Sequence, residues 1–150
     1  LCIDARKEAS MVESNGRAGA EARIRELIAE WQHAVIAKDA DSLIRHYASD
    51  VVVFDVVPPA SFTGSERYRE HWQRWFDSMK GPISFEMNDI KVVTDGDVAF
   101  AHSVNRVVID GQDNLVRATV GFRRIGGDWR VVHEHASVPL MMDMDPDDES

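Results

Sequence analysis

Cysteine is almost absent: the 150 residues contain one, Cys2. A single thiol closes no disulfide within the chain and offers no second ligand for a cysteine-based zinc cluster, so a reducing compartment, the cytoplasm, is expected. Basic residues are also scarce, with 17 Lys and Arg against 26 Asp and Glu and a formal net charge of −9. Nucleic acid and anionic membrane surfaces both require a basic face, and this balance argues against either as a partner. No apolar run approaches the roughly 20 residues that cross a bilayer. The opening, Leu1 to Lys7, has no long apolar stretch, so no secretory leader is expected. A glycine-rich phosphate loop, a nucleophile elbow, a dinucleotide fingerprint and an internal repeat are missing as well.

What is present is enough for one domain with a real core: 44% of residues are hydrophobic and 29% charged. Residues 1–19 are polar, rich in Ala, Ser and Gly and without period, and are expected to be a disordered tail. From Ala20 a helical stripe begins, with Ile24, Leu27, Ile28, Trp31 and Val35 at spacings of three and four. Asp39 or Asp41 can cap a second, short helix carrying Leu43, Ile44 and Tyr47. The β-branched run Val51 to Val57 reads as a buried strand ended by Pro58-Pro59. Ser65 is placed to cap a third helix whose apolar residues are Tyr68, Trp72, Trp75, Phe76 and Met79. Four long strands follow, over 83–94, 98–109, 115–125 and 129–140, separated by short glycine-bearing hairpins. Residues 141–150 form an acidic tail, leaving 20–140 as the folded domain. Helices gathered early and strands late predict an α+β fold, a cone-shaped half-barrel in which a curved antiparallel sheet wraps three helices.

Several residues can carry chemistry. Asp55 interrupts an apolar strand end, where a carboxylate is either a paired surface residue or a buried acid fit for proton transfer. His133 and His135 share one strand face, about 7 Å apart, with Glu134 on the other. Trp129 and Val131 have the histidines' parity, so the histidines are expected to point inward. There they either polarise a carbonyl and shuttle protons, or hydrogen-bond backbone carbonyls. Nothing marks a third ligand, and no metal is expected. His102 sits in an apolar mid-strand setting, and Arg117 either clamps a carboxylate or faces an interface. Trp31, Tyr47 and Trp72 are candidates to roof an apolar ligand pocket.

The stretch Gly126-Gly127-Asp128-Trp129-Arg130-Val131-Val132-His133-Glu134-His135-Ala136-Ser137-Val138-Pro139, together with Asp97 to Ser103, Val116 to Thr119, Asp50 to Asp55 and Phe62-Thr63-Gly64, resembles the SnoaL-like, ketosteroid-isomerase-like proteins of the nuclear-transport-factor-two-like superfamily. The resemblance covers residues 20–140 and implies a conical, cystatin-like roll with one pocket between sheet and helices, usually as a homodimer. It places a base aspartate at Asp55. The oxyanion donors of the steroid isomerases, a tyrosine and a protonated aspartic acid, fall at Trp31 and about Val120, so that hole is not reproduced, and His102 or His135 is left to replace it. The same ending also resembles the association domain of calcium/calmodulin-dependent protein kinase, which assembles and does not catalyse. Two functions are therefore expected in competition. One is a cofactor-free isomerase, cyclase or dehydratase moving a proton next to a carbonyl, with Asp55, His102 and His135 catalytic and Trp31, Tyr47, Trp72, Arg117 and His133 holding a small apolar or carbonyl-containing molecule. The other is a non-catalytic binding or oligomerisation module.

Overall fold

The computed structural model describes residues 5–142. The order is α1 (Ala5–Ile36), α2 (Ala40–Leu43), β1 (Tyr47–Phe54), β2 (Phe62–Thr63), α3 (Ser65–Ser78), β3 (Ser84–Asp95), β4 (Val98–Ile109), β5 (Gln112–Ile125) and β6 (Asp128–Ser137). The six strands form one open, mixed sheet in the order β2-β1-β6-β5-β4-β3. The last four strands make the expected antiparallel meander, while β1 joins it by running parallel to β6. The helices gather on the concave side, which is the α+β half-barrel that the element order implies. Among the described residues no helix is long and apolar enough to cross a membrane.

Local chemistry explains most boundaries. Asp39 is the N-cap of α2 and accepts from Ser42 N–H at 3.1 Å, satisfying a backbone donor that the first helical turn leaves open. At α3 the cap is Gly64 rather than the expected Ser65, with no side-chain cap bond. Its φ of +101° turns the chain sharply while its N–H reaches Val51 O at 2.8 Å. Asp110 and Gly111, at φ +50° and +78°, form the two-residue hairpin that suits right-twisted strands, so β5 starts at Gln112, earlier than the expected Leu115.

The N-terminal expectation needs correcting. Residues 5–19 continue α1 as exposed helix instead of forming a loose tail. Ala, Glu, Lys, Arg and Met dominate this stretch, and their helix propensity extends the turns already nucleated by the packed half. Leu1 to Asp4 and residues 143–150, which the two expected tails also cover, lie outside the described residues.

The sheet has three register irregularities, one in β1 between Tyr47 and Val52, one in β3 and one in β6. In β3, Asn88 pairs with Val104 but Lys91 with His102, so one extra residue enters near Asp89, whose φ is +55°. In β6, Phe122 pairs with Val131 but Gly121 with His133, so Val132 is the extra residue. Because side chains alternate, each insertion reverses the parity of everything beyond it. The core divides into two clusters, one around Ile24, Val51, Val53, Tyr68 and Trp129, the other around Val35, Leu43, Phe76 and Val107, with Trp31 and Trp72 packed against both.

Ile24 is fully buried, whereas Met11 is 63% exposed on the same helix. Ile24→Ala should therefore cost about 2–5 kcal/mol in chemical denaturation, and Met11→Ala less than about 0.5 kcal/mol. Equal effects would mean that the two halves of α1 are packed alike.

Candidate functional site

The Val132 bulge decides which side chains of β6 face the interior. Trp129 and Val131 point inward as expected, but after the extra residue it is Glu134 that points inward, 6% exposed. His133 and His135 are turned to the outer face, which corrects their expected direction. His133 hydrogen-bonds Val52 O through Nδ1 at 2.7 Å. His135 is exposed, its ring edge-to-face with Phe54. On the neighbouring strands His102 and Arg117 are exposed as well, with His102 stacked beside Phe100. The structure thus brings Asp55, Trp31 and Trp72 to one cavity and leaves Arg117, His133 and His135 on the far side of the sheet, while His102 is exposed and borders only a second, smaller space.

That cavity, of about 370 Å³, opens between α1, α3 and the concave sheet. Trp31, Trp72, Trp75, Phe85 and several valines form its apolar walls, and Asp55, His71, Tyr68, Asn105 and Glu134 supply polar groups. The volume suits a small organic molecule. A smaller space of about 50 Å³ lies deeper, where Tyr47, Ser103, Asn105 and the other side of Glu134 meet.

Two clusters of titratable groups stand out. At the end of β1, Asp55 Oδ2 lies 2.9 Å from His71 Nε2 on α3, while Asp55 Oδ1 accepts from Val56 N–H at 2.7 Å. The carboxylate is thereby held, and it fixes the ring: with Nε2–H donated to Asp55, the lone pair of a neutral His71 sits on Nδ1. The ring is clamped by Phe62 and stacks on Tyr68.

The second cluster is a triad. Tyr47 and Tyr68 donate to Glu134 Oε1 and Oε2 at 2.9 Å and 2.6 Å. Burial pushes the Glu134 carboxyl up to about 7, although the two tyrosine hydroxyls favour its charged form and oppose that rise. Burial and the adjacent carboxylate push both tyrosines well above their ordinary value, so they remain protonated donors. When Glu134 takes up a proton, one of these bonds must reverse, because its own O–H then donates to a tyrosine oxygen. If the partner is Tyr68, which lines the main cavity, the Tyr68 O–H is released toward that cavity.

Asn105 is 2% exposed and accepts from Ser103 Oγ at 2.8 Å through Oδ1. The buried indole nitrogen of Trp72 has no hydrogen-bond partner among the described residues, and its ring meets that of Trp31 edge-to-face at 5.9 Å. Among the described residues no three His, Cys, Asp or Glu side chains gather as a metal site.

Sequence reasoning missed His71, Tyr68, Asn105 and the inward turn of Glu134. The helical spacing of Tyr68, Trp72 and Phe76 marks the inner stripe of α3, and His71 borders it. For Glu134 the available signal was the doubled Val131-Val132, which breaks strict alternation where the bulge occurs.

A sequence profile described as the SnoaL-like domain matches residues 24–141. No curated protein matches the chain. Among solved structures, an NTF2-like protein of unknown function from Pseudomonas putida KT2440 is 40% identical, covers 84% of this chain and 91% of its own, and superposes with a TM-score of 0.81. A candidate dehydratase of the NTF2-like family from Streptomyces avermitilis is 17% identical over 83% of this chain and 99% of its own, with a TM-score of 0.73. A candidate calcium/calmodulin-dependent protein kinase type II association domain from Thiobacillus denitrificans is 20% identical over 76% of this chain and 93% of its own, at 0.64. The last two share the fold alone.

A carboxyl whose folded value lies above its unfolded one stabilises the fold at low pH and loses that contribution as pH rises through the folded value. With 4.5 as the ordinary value and about 7 in the fold, the stability of the wild type relative to Glu134→Gln should fall by about 3 kcal/mol between pH 4 and 8. Urea melts of both proteins across that range check it. A constant difference would mean that Glu134 titrates normally.

Proposed function

Since the chain belongs to the SnoaL-like family, we propose that its cavity is the active site of a cofactor-free acid–base enzyme, an isomerase, cyclase or dehydratase that moves a proton next to a carbonyl. One observation carries the reading: a base and an acid, Asp55–His71 and Glu134–Tyr68, line the same apolar cavity. Groups whose protonation states are set apart by their surroundings are what acid–base catalysis at neutral pH requires.

His71 takes the role first expected of Asp55. Its Nδ1 abstracts a proton from the carbon beside the carbonyl, and the C–H electrons move into an enolate. The resulting imidazolium is stabilised by the Asp55 carboxylate at 2.9 Å, and Asp55 keeps the ring in the tautomer that exposes Nδ1. The developing enolate oxygen receives a hydrogen bond, or the proton itself, from Tyr68, whose oxygen is resupplied by protonated Glu134. His71 then returns its proton, either to a different carbon, which isomerises the substrate, or to a departing β-hydroxyl, which dehydrates it, and as the carbonyl re-forms any proton lent to its oxygen goes back through Tyr68 to Glu134. Every proton taken is given back, so the cycle needs no oxidant or cofactor. The aromatic walls exclude water and strengthen both electrostatic contacts.

We also propose that the chain works as a homodimer through the outer face of the sheet. On that face Val98, Phe100 and Leu115 are 58%, 45% and 56% exposed, an apolar display that suits a covered surface better than a solvated one.

Two experiments test these readings. Deuterium incorporation from D₂O into 2-tetralone, followed by proton NMR, should run above the buffer rate with wild type and fall about 100-fold or more in His71→Asn, with Asp55→Asn also impaired and melting temperatures nearly unchanged. A wild-type rate equal to buffer across a panel of neutral cyclic ketones would contradict the enzyme and favour a non-catalytic binding or assembly module. In sedimentation velocity at micromolar concentration the wild type should run as a dimer and Phe100→Lys as a monomer; a monomeric wild type would remove the dimer.

A further inference from the structure

We propose that the chain carries its own strap for the main cavity: the segment from Leu140 to Ser150 docks across the cavity mouth, its apolar half on Val56 and Val57 and its acidic half on Arg67 and Arg74 of α3. The lip of the mouth is apolar. Val56, Val57 and Val138 line the cavity and are nevertheless 44%, 43% and 48% exposed. β6 ends at Ser137, and the chain passes Val138 on that lip directly into Leu140 and Met141, which are 80% and 91% exposed, and the exposed Met142. Three large apolar side chains facing water beside an apolar lip are two halves of one contact, and closing it removes both from water. Val138 belongs to the lip, so Leu140 and Met141 begin only two and three residues from the surface they would cover.

Charge sets where the rest of the strap goes. Residues 143–150, which lie outside the described residues, contain Asp143, Asp145, Asp147, Asp148 and Glu149 and no base. The mouth is bounded on another side by α3, through His71 and Trp75. Arg67 stands four residues before His71 and Arg74 three after it, so both occupy the helix face beside that ring. Both are exposed. Arg69 on the same helix is paired with Glu66. Arg67 lies over the Phe62 ring, and neither it nor Arg74 has a carboxylate partner among the described residues, Glu70 between them included. In a chain of net charge −9, two unpaired cations at the mouth of the cavity are the complement of an acidic segment that starts from the same mouth. Extended, the twelve residues after Val138 reach roughly 40 Å, against about 21 Å for the whole of α3, so one segment can cover the lip and meet both arginines. Closed, the strap keeps water from the Asp55–His71 pair; the acid–base reading enters only in what the strap protects.

Disulfide trapping tests this on the full chain. With Cys2→Ser removing the native thiol, Val57→Cys and Met141→Cys together should close a disulfide under mild oxidation, seen by intact mass as a cross-linked monomer. Met141→Cys combined with Asp95→Cys, at the far end of the β3–β4 hairpin from the cavity, should stay reduced over the same time. Arg67→Glu with Arg74→Glu should slow the closing of the first pair about tenfold, and roughly 0.5 M sodium chloride should slow it in the protein that keeps both arginines. A first pair that stays reduced, or a distant pair that closes equally fast, overturns the proposal. A disulfide joining two copies overturns it as well, because the cover is then a second molecule. A rate unmoved by both charge reversal and salt overturns the docking on α3. Turnover is not read, so failure of the His71-dependent exchange and failure of the strap are separate outcomes.

Discussion

A single extra residue, Val132, governs the interior of this protein. Without it the parity begun by Trp129 and Val131 would carry His133 and His135 into the core and leave Glu134 outside. With it, a carboxyl is forced into the driest part of the fold. Such a group is tolerated only if it is hydrogen-bonded, and Tyr47 at the start of β1 and Tyr68 in the first turns of α3 meet that demand from two different elements. The three hydroxyl and carboxyl groups therefore tie β1, α3 and β6 together, and the same contact that satisfies the buried charge fixes where the cavity floor lies.

The cavity follows from that tie. Once Tyr68 is anchored, the stripe of α3 sets Trp72 and Phe76 against the sheet, and His71 is carried to the end of β1, where Asp55 waits. The outcome is a site with a base at its rim and an acid at its floor, separated by aromatic walls. The environments are opposed by construction. Asp55 is held by His71 and by Val56 N–H, whereas Glu134 is fully enclosed and pushed toward its neutral form. Surroundings, more than residue type, give the two carboxyls different work.

The fold was largely readable because hydrophobic periodicity and hairpin punctuation are local. The stripe from Ile24 to Val35, the β-branched run after Val51 and the glycine-bearing separators each specify an element within a dozen residues, and their order specifies the half-barrel. The parallel pairing of β1 with β6 was not readable, since it joins residues some 80 positions apart. The site was readable only in part for the same reason. Trp31 and Trp72 reach the interior because each lies on the apolar stripe of its own helix. His135 and Glu134 exchanged faces because strict alternation fails at Val132, and a bulge is a property of two paired strands that one strand's sequence only hints at. The partnership of His71 with Asp55 depends on how α3 crosses β1, a tertiary relation with no local signature.

The account stands on one protonation equilibrium held inside this framework. Carbon-13 NMR of protein labelled at the glutamate δ-carbon observes it directly, with Glu134→Gln assigning the resonance. The account predicts a carboxyl titrating with a midpoint near 7, as its enclosure implies, and a further upward move in Tyr68→Phe, because that hydroxyl favours the charged form. A midpoint in the ordinary range near 4.5, unmoved by loss of Tyr68, would contradict it.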